Sequence, residues 1–256
     1  MPKSKEPISE NFQNILNDNK SGSVRLAKDF LELIVIENHK SSDIDEMADI
    51  LIERFPEMAV LQNIARRLKE VNRNKVLKAN KLLKTLDNSD KQIAKNAQKY
   101  LPKNGKVMTI SQSHTIYAIL ELAAKEKNFQ TVYLSFGYPQ KDGLDQAEKL
   151  LKLGHKVVIF PDLAYGRFVS VANIIIVGAD QSCDELFVNR NGTMALALMA
   201  RYFDIPFYVA ASKMKQIESC NLALEEQEKS VDGILQVEPV FEIIQNEFVT
   251  KYIGED

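Results

Sequence analysis

Apolar positions in the first hundred residues recur at helical spacing, whereas those in the rest of the chain fall into short unbroken runs. Val24, Leu26, Ala27, Phe30, Leu31, Leu33 and Ile34 trace one broad apolar face, as a helix packed on a core requires. Ser42 and Asp45 have the Ser-x-x-Asp spacing of a capping box, with Ile44, Met47, Ile50 and Leu51 following on one side. Pro56 stops that helix, and another begins near Glu57. Ser89 and Gln92 form a second capping-box candidate, opening a helix that runs through Tyr100. The turn-forming run Pro102-Lys103-Asn104-Gly105 closes this part. A domain boundary is placed there, giving a helical domain over 1–103 and an α/β domain over 104–256.

Past Gly105 the runs Val107–Ile110, Thr131–Phe136, Lys156–Phe160, Ala172–Val177 and Phe207–Ala211 suit parallel strands buried on both faces. Helical patterns at His114–Lys127, Leu144–Leu153, Leu163–Val169 and Thr193–Tyr202 alternate with them. This order predicts an α/β class chain, a helical part followed by a Rossmann-like parallel sheet with helices on both faces. Such sheets bind ligands beyond the carboxyl ends of their strands, which directs attention to the residues after each strand. The first strand leads into Ser111-Gln112-Ser113-His114-Thr115, and the fourth into Gly178-Ala179-Asp180. Asn189-Arg190-Asn191-Gly192-Thr193 then opens a helix. Free amides at a helix start, a glycine and nearby hydroxyls make a phosphate cradle. The same residues serve equally as a plain turn at Gly192 and a plain N-cap at Thr193, and spacing alone does not separate the two. Gly-x-Gly-x-x-Gly and Walker motifs are absent.

Composition narrows the class. The chain has 256 residues, 45% hydrophobic and 27% charged, the mixture of a globular protein. Its longest apolar run, Met194–Ala200, is far too short to cross a bilayer, and Met1–Glu6 has no apolar core, so neither a membrane span nor a secretory signal is expected. The two cysteines, Cys183 and Cys220, are expected as free thiols in a reducing, cytoplasmic setting. His39, His114 and His155 are scattered and no Cys/His cluster has ligand spacing, so no metal and no cofactor are expected. Between Arg66 and Lys99, eleven Lys/Arg face three Asp/Glu, a local excess of +8 in a chain of net charge −2. This is either a solvated helix surface or a basic face for an acidic protein partner. No aromatic residues accompany it to stack bases, which disfavours nucleic acid.

Three blocks in order carry a resemblance: Ile174-Ile175-Ile176-Val177-Gly178-Ala179-Asp180, Phe187-Val188-Asn189-Arg190-Asn191-Gly192-Thr193, and Ile205-Pro206-Phe207-Tyr208-Val209-Ala210-Ala211. Together they resemble the alpha/beta/delta subunits of translation initiation factor 2B. That family also includes ribose-1,5-bisphosphate isomerase and methylthioribose-1-phosphate isomerase. Its pattern is Gly-Ala-Asp, a short hairpin, Asn-Lys-x-Gly-Thr, a helix, then Pro-Phe-Tyr-Val. The likeness covers Val107 to Ala211, with a weaker local match around Ser21-Gly22-Ser23. It implies a small helical domain, a Rossmann-like domain through which the chain forms a homodimer, and a sugar-phosphate or nucleotide pocket between them. The ligand-facing positions so implied are Gly22, Ser23, Ser111, Gln112, Ser113, Asp180, Asn189, Arg190, Gly192 and Thr193, with Lys213 and Lys215 beyond the fifth strand.

In the isomerases of this family a Cys after the first strand and the Asp of Gly-Ala-Asp perform the proton transfers. Asp180 matches the Asp, but the Cys position holds Ser111. A thiol with a pKa of about 8.5 is tunable into an acid or base, whereas a serine hydroxyl needs a base beside it. Where relatives have Glu-Ser-Arg-Pro, this chain has Phe136-Gly137-Tyr138-Pro139, losing the phosphate-holding arginine; Lys141 is a candidate replacement. Cys183 and His114 are candidate stand-in catalytic groups, though an idle thiol and a hydrogen-bonded imidazole are the commoner roles for such residues. The preferred expectation is a non-catalytic, initiation-factor-2B-like protein that senses a small phosphorylated ligand. The alternatives are a sugar-phosphate isomerase with altered catalytic residues and a pure protein-interaction module.

Overall fold

The computed structural model describes residues 9–37, 39–220 and 226–256, without the side chain of Gln227. The first six residues, read above for a signal, lie outside the described ones. Five helices come first: α1 (Glu10–Leu16), α2 (Ser23–Glu37), α3 (Ser41–Arg54), α4 (Ala59–Lys69) and α5 (Lys75–Ala97). The apolar face read for α2 is the face it buries. Neither capping box forms. Ser42 lies inside α3 and donates to Asp43, and the N-cap of α3 is Lys40, without a side-chain cap. Ser89 lies in the middle of α5, buried, with its hydroxyl on Glu255. Local spacing thus lost to a long uninterrupted helix whose inner side is shared by two cores. Leu82 and Leu86 of α5 pack among the first helices, while Ile93, Ala94 and Ala97 pack against the sheet.

The α/β part follows as β1 (Lys106–Thr109), α6 (His114–Lys125), β2 (Thr131–Ser135), α7 (Gly143–Lys152), β3 (Lys156–Phe160), α8 (Tyr165–Phe168), β4 (Ile174–Val177), β5 (Gln181–Ser182), β6 (Leu186–Arg190), α9 (Thr193–Tyr202) and β7 (Phe207–Ala210). The chain ends with β8 (Glu226–Val231), β9 (Ile234–Pro239), β10 (Phe241–Gln245) and β11 (Lys251–Ile253). The helix expected over Leu163–Val169 is instead one α-turn, α8, flanked by 3-10 turns.

Six strands form an all-parallel sheet in the order β11-β7-β4-β1-β2-β3. All four residues of β4 are buried, with Ile174 and Ile176 in one core and Ile175 and Val177 in the other. This two-sided burial explains why the strand reads as an unbroken apolar run. β10, β6 and β5 form a separate antiparallel sheet, and β8 and β9 a hairpin. The order reverses between β1 and β4, so the switch point lies where β1 ends at Thr109 and β4 at Val177.

Two readings from composition change here. Cys183 and Cys220 are not free thiols but a disulfide, because the turn after β5 and the stretch after Lys215 run together. The thiol argument for a reducing compartment therefore falls away. No helix among the described residues is long and apolar enough to cross a membrane. The basic stretch divides. Lys75 is buried on Asp45, Lys69 pairs with Asp49 and Arg66 with Glu70. Lys81, Lys84, Lys91 and Lys95 are exposed along one face of α5, and Lys99 is exposed in the turn that follows it.

Candidate functional site

The switch point opens into a cleft between the first helices and the carboxyl edge of the sheet. Three chain turns converge on it. The loop after β1 brings Ser111, Gln112, Ser113 and His114, with the first turn of α6. The loop after β4 brings Gly178, Ala179 and Asp180. The start of α2 brings Ser21, Gly22 and Ser23.

Asp180 fastens these parts together. The Ser23 hydroxyl donates to its Oδ1 at 2.9 Å, and its carbonyl accepts from the Ala59 amide at 3.0 Å. The start of α2 and the start of α4 therefore both dock on one residue of the loop after β4. Lys215 reaches the same cleft from the 3-10 turn after β7. It is only 5% exposed and, among the described residues, its ammonium has no ion-pair or hydrogen-bond partner. Burial pulls its pKa down, and the charges of Asp180 and Asp90 push it back up.

Ser111 sits at φ 59°, a left-handed conformation that a serine adopts only when its surroundings enforce it. Its hydroxyl donates to Asp142 Oδ2 at 2.7 Å, and Arg190 Nη2 holds the same oxygen at 2.7 Å. Arg190 also places Nε 3.3 Å from Ser111 Oγ and its guanidinium over the Phe241 ring. The loop after β2 thus delivers an acid to the cleft, Asp142. Lys141, the candidate arginine replacement, is exposed outside it, and Tyr138 turns to Glu238 of the hairpin. At the rim, His114 Nε2 lies 3.1 Å from Asp90, which also pairs with Lys28 at 2.9 Å. Burial works against the Asp90 charge, but His114 and Lys28 together hold its carboxyl below the usual range.

The structure thus brings Gly22, Ser23, Ser111, Gln112, Ser113, Asp180, Asn189, Arg190 and Lys215 into one cleft. It does not bring Gly192, Thr193 or Lys213 there. The expected cradle at the start of α9 is filled from within the protein. The Glu242 carboxylate accepts from the Met194 amide at 2.7 Å and from the amides of Gly192 and Thr193. Thr193 is buried and donates to the Arg190 carbonyl. Lys213 is exposed and pairs with Asp256. Cys183 is tied to Cys220 away from the cleft. Sequence reasoning gave no role to Asp142, Asp90 or Lys28. An acid one residue before the loop glycine, Asp142-Gly143, was the available signal for the first. No group of three or more His, Cys, Asp or Glu among the described residues is placed to hold a metal.

The model of the initiation factor 2 subunit family matches residues 20–255. The chain belongs to that family. A protein of Pyrococcus abyssi described as a putative translation initiation factor eIF-2B subunit 2-like is 29% identical over 83% of this chain and 79% of its own length. The crystal structure of the Pyrococcus horikoshii OT3 translation initiation factor eIF-2B superposes with a TM-score of 0.88, at 27% identity, covering 97% of this chain and 96% of that one. A ribose 1,5-bisphosphate isomerase of Archaeoglobus fulgidus is 23% identical over 82% of this chain and 72% of its own. The initiation-factor subunits and the isomerases thus share one fold with this chain.

Proposed function

We propose that this member of the family is a ligand-sensing regulatory protein whose cleft binds a small phosphorylated sugar or nucleotide without turning it over. The observation that carries the reading is Lys215. A buried ammonium with no partner among the described residues is costly, and an anionic ligand supplies the missing charge. The first turn of α6 borders the same space, and a helix start presents amides with no intrahelical partner. Arg190 adds a second cation, one that a phosphate can draw from Asp142. The catalytic side is weaker. The isomerase cysteine is a serine here, and Asp142, the acid beside it, has its Oδ2 already engaged by the Arg190 guanidinium.

The test is a thermal-shift panel with AMP, ribose 5-phosphate, ribose 1,5-bisphosphate and methylthioribose 1-phosphate, followed by turnover assays on each hit. A shift without turnover is expected; interconversion of either isomerase substrate overturns the regulatory reading. One contact favours the isomerase as the second reading, the 2.7 Å bond from Ser111 to Asp142, because a serine with a carboxylate beside it has a base within reach. Loss of turnover in Asp142→Asn would identify that route.

The reading includes two units dividing near residue 103 and a homodimer through the α/β unit. Leu163, Leu198 and Tyr202 are exposed apolar side chains of that unit and supply a surface for the second copy. The lysine face of α5 is assigned to an acidic protein partner.

A further inference from the structure

The two cysteines join the two segments that bring opposite charges to the cleft. Cys183 follows Asp180 by three residues, and Cys220 follows Lys215 by five. Their Cα atoms lie 5.9 Å apart across the disulfide. Between these points the segments run side by side. Ser182 and Gln216 form a parallel bridge, and the Ile217 amide donates to the Ser182 carbonyl at 3.0 Å. From α4, Asn63 Nδ2 donates to the carbonyls of Met214 and Gln216. Nothing among the described residues holds the Lys215 ammonium directly, so its place in the cleft depends on how this short stretch of backbone is anchored. The disulfide is the covalent member of that small set of anchors.

Both redox forms have a place in the fold. The Leu186 carbonyl lies 3.3 Å from Cys183 Sγ and 3.7 Å from Cys220 Sγ, so either thiol finds an acceptor after reduction. Access exists as well. Cys183 is only half-buried and lines two surface grooves, one with Asn63 and Gln216, the other with Ser212 and Asn246. A small dithiol reaches the bond from either side.

We infer that the Cys183–Cys220 pair is a reversible redox control on the cleft. The disulfide form keeps Lys215 in the cleft that Asp180 also lines and binds the phosphorylated ligand; the dithiol form loosens the stretch after Lys215 and binds it more weakly. The step is thiol–disulfide exchange with a dithiol reductant. One reductant thiolate attacks a protein sulfur and breaks the protein S–S bond, leaving a mixed disulfide. The second reductant thiolate then displaces the remaining protein thiolate. The reductant leaves as its own disulfide, having given up two electrons, and two protons end on Cys183 and Cys220. The inference rests on the ligand-binding reading of the cleft.

The experiment uses the full chain in its oxidised form and after dithiothreitol treatment, with thiols counted in each. AMP, ribose 5-phosphate and inorganic phosphate are titrated calorimetrically into both. The oxidised form is expected to bind one of these probes about fivefold or more tightly than the reduced form, a coupling of ordinary allosteric size. Cys220→Ser is expected to bind like the reduced protein and to ignore dithiothreitol. Equal affinity in the two forms overturns the redox control and leaves the ligand reading standing; binding in neither form overturns both. Amide exchange over residues 211–220 is a readout independent of any ligand. Protection there is expected to fall on reduction while that of β1 and β4 is kept, and unchanged protection sinks the proposal.

Discussion

Glu242 of β10 caps the helix that Gly192 and Thr193 begin, accepting the Met194 amide at 2.7 Å. Burial lifts its carboxyl above the usual range, and the amides of Met194, Gly192 and Thr193 bring it part of the way back. The site most suggestive of phosphate in the sequence is therefore a structural joint between α9 and the antiparallel sheet. Glu242→Ala should cost about 1–2 kcal/mol, the usual loss of a helix cap. Glu242→Gln keeps an acceptor and removes a buried charge, so it should stay near the parent. Urea unfolding distinguishes the two, and neither should change affinity for a ligand in the cleft.

Lys215→Met replaces a buried cation by an apolar side chain of similar length. Stability should be unchanged or higher, because the ammonium has no partner among the described residues. Ligand stabilisation should fall by about 1.4 kcal/mol or more, tenfold in affinity. A variant that is stabler and yet blind to ligand is hard to explain by misfolding. Retained thermal shifts with AMP or ribose 5-phosphate would remove Lys215 from the site.

His155 gives the fold a pH dependence of known sign. It is buried, with Nδ1 accepting from the Gln130 amide at 3.0 Å, which leaves Nε2 to donate to the Leu120 carbonyl at 2.9 Å. That pattern needs the neutral ring, and burial lowers its pKa below the ordinary 6.5. The unfolded chain thus binds the proton first. The contribution is complete above about pH 6.5 and fades as pH falls, by at most about 1.4 kcal/mol per unit. Stability measured from pH 7.5 to 5 should fall in the parent and fall less steeply in His155→Leu, itself a less stable protein.

Gly143 opens α7 at a point where the backbone passes close to β2. A Cβ there would stand 2.1 Å from the Ser135 carbonyl and 2.9 Å from that of Phe136. Both obstacles are backbone and cannot rotate away. Gly143→Ala should cost about 3 kcal/mol, the upper range for overpacking. Because Asp142 is the preceding residue, it should also weaken ligand binding, a pairing that chemical denaturation and calorimetry read separately.

The proposed homodimer is tested by charge. Tyr202 and Leu198 lie four residues apart on α9, both exposed. Tyr202→Glu with Leu198→Glu should convert the assembly to monomers in light-scattering chromatography. A parent chain that already elutes as a monomer refutes the dimer.

The buried strands were readable because their signal is local: Ile174–Val177 is apolar at every position, and its neighbours cover both faces. α9 was readable to the residue for the same reason. The hairpin of β8 and β9 carries an Asp232-Gly233 turn, both residues at positive φ, a signal that local chemistry also supplies. Ser89 misled because a capping motif says nothing about what surrounds it, and here Glu255, far along the chain, takes the hydroxyl.

The sequence by itself determined the parallel α/β sheet and the turns that carry Asp180, Ser111 and Arg190, since strand runs and the turns after them are set by neighbours in the chain, while the strand order that fixes the switch point came from the fold. Tertiary structure alone decided which charges stand free. Glu242 occupies the start of α9, Asp142 takes Arg190, Cys183 takes Cys220, and Lys215 is left without a partner among the described residues. Each of those outcomes is a competition between groups some thirty to fifty residues apart. Only the folded packing brings the competitors within hydrogen-bond reach of one another.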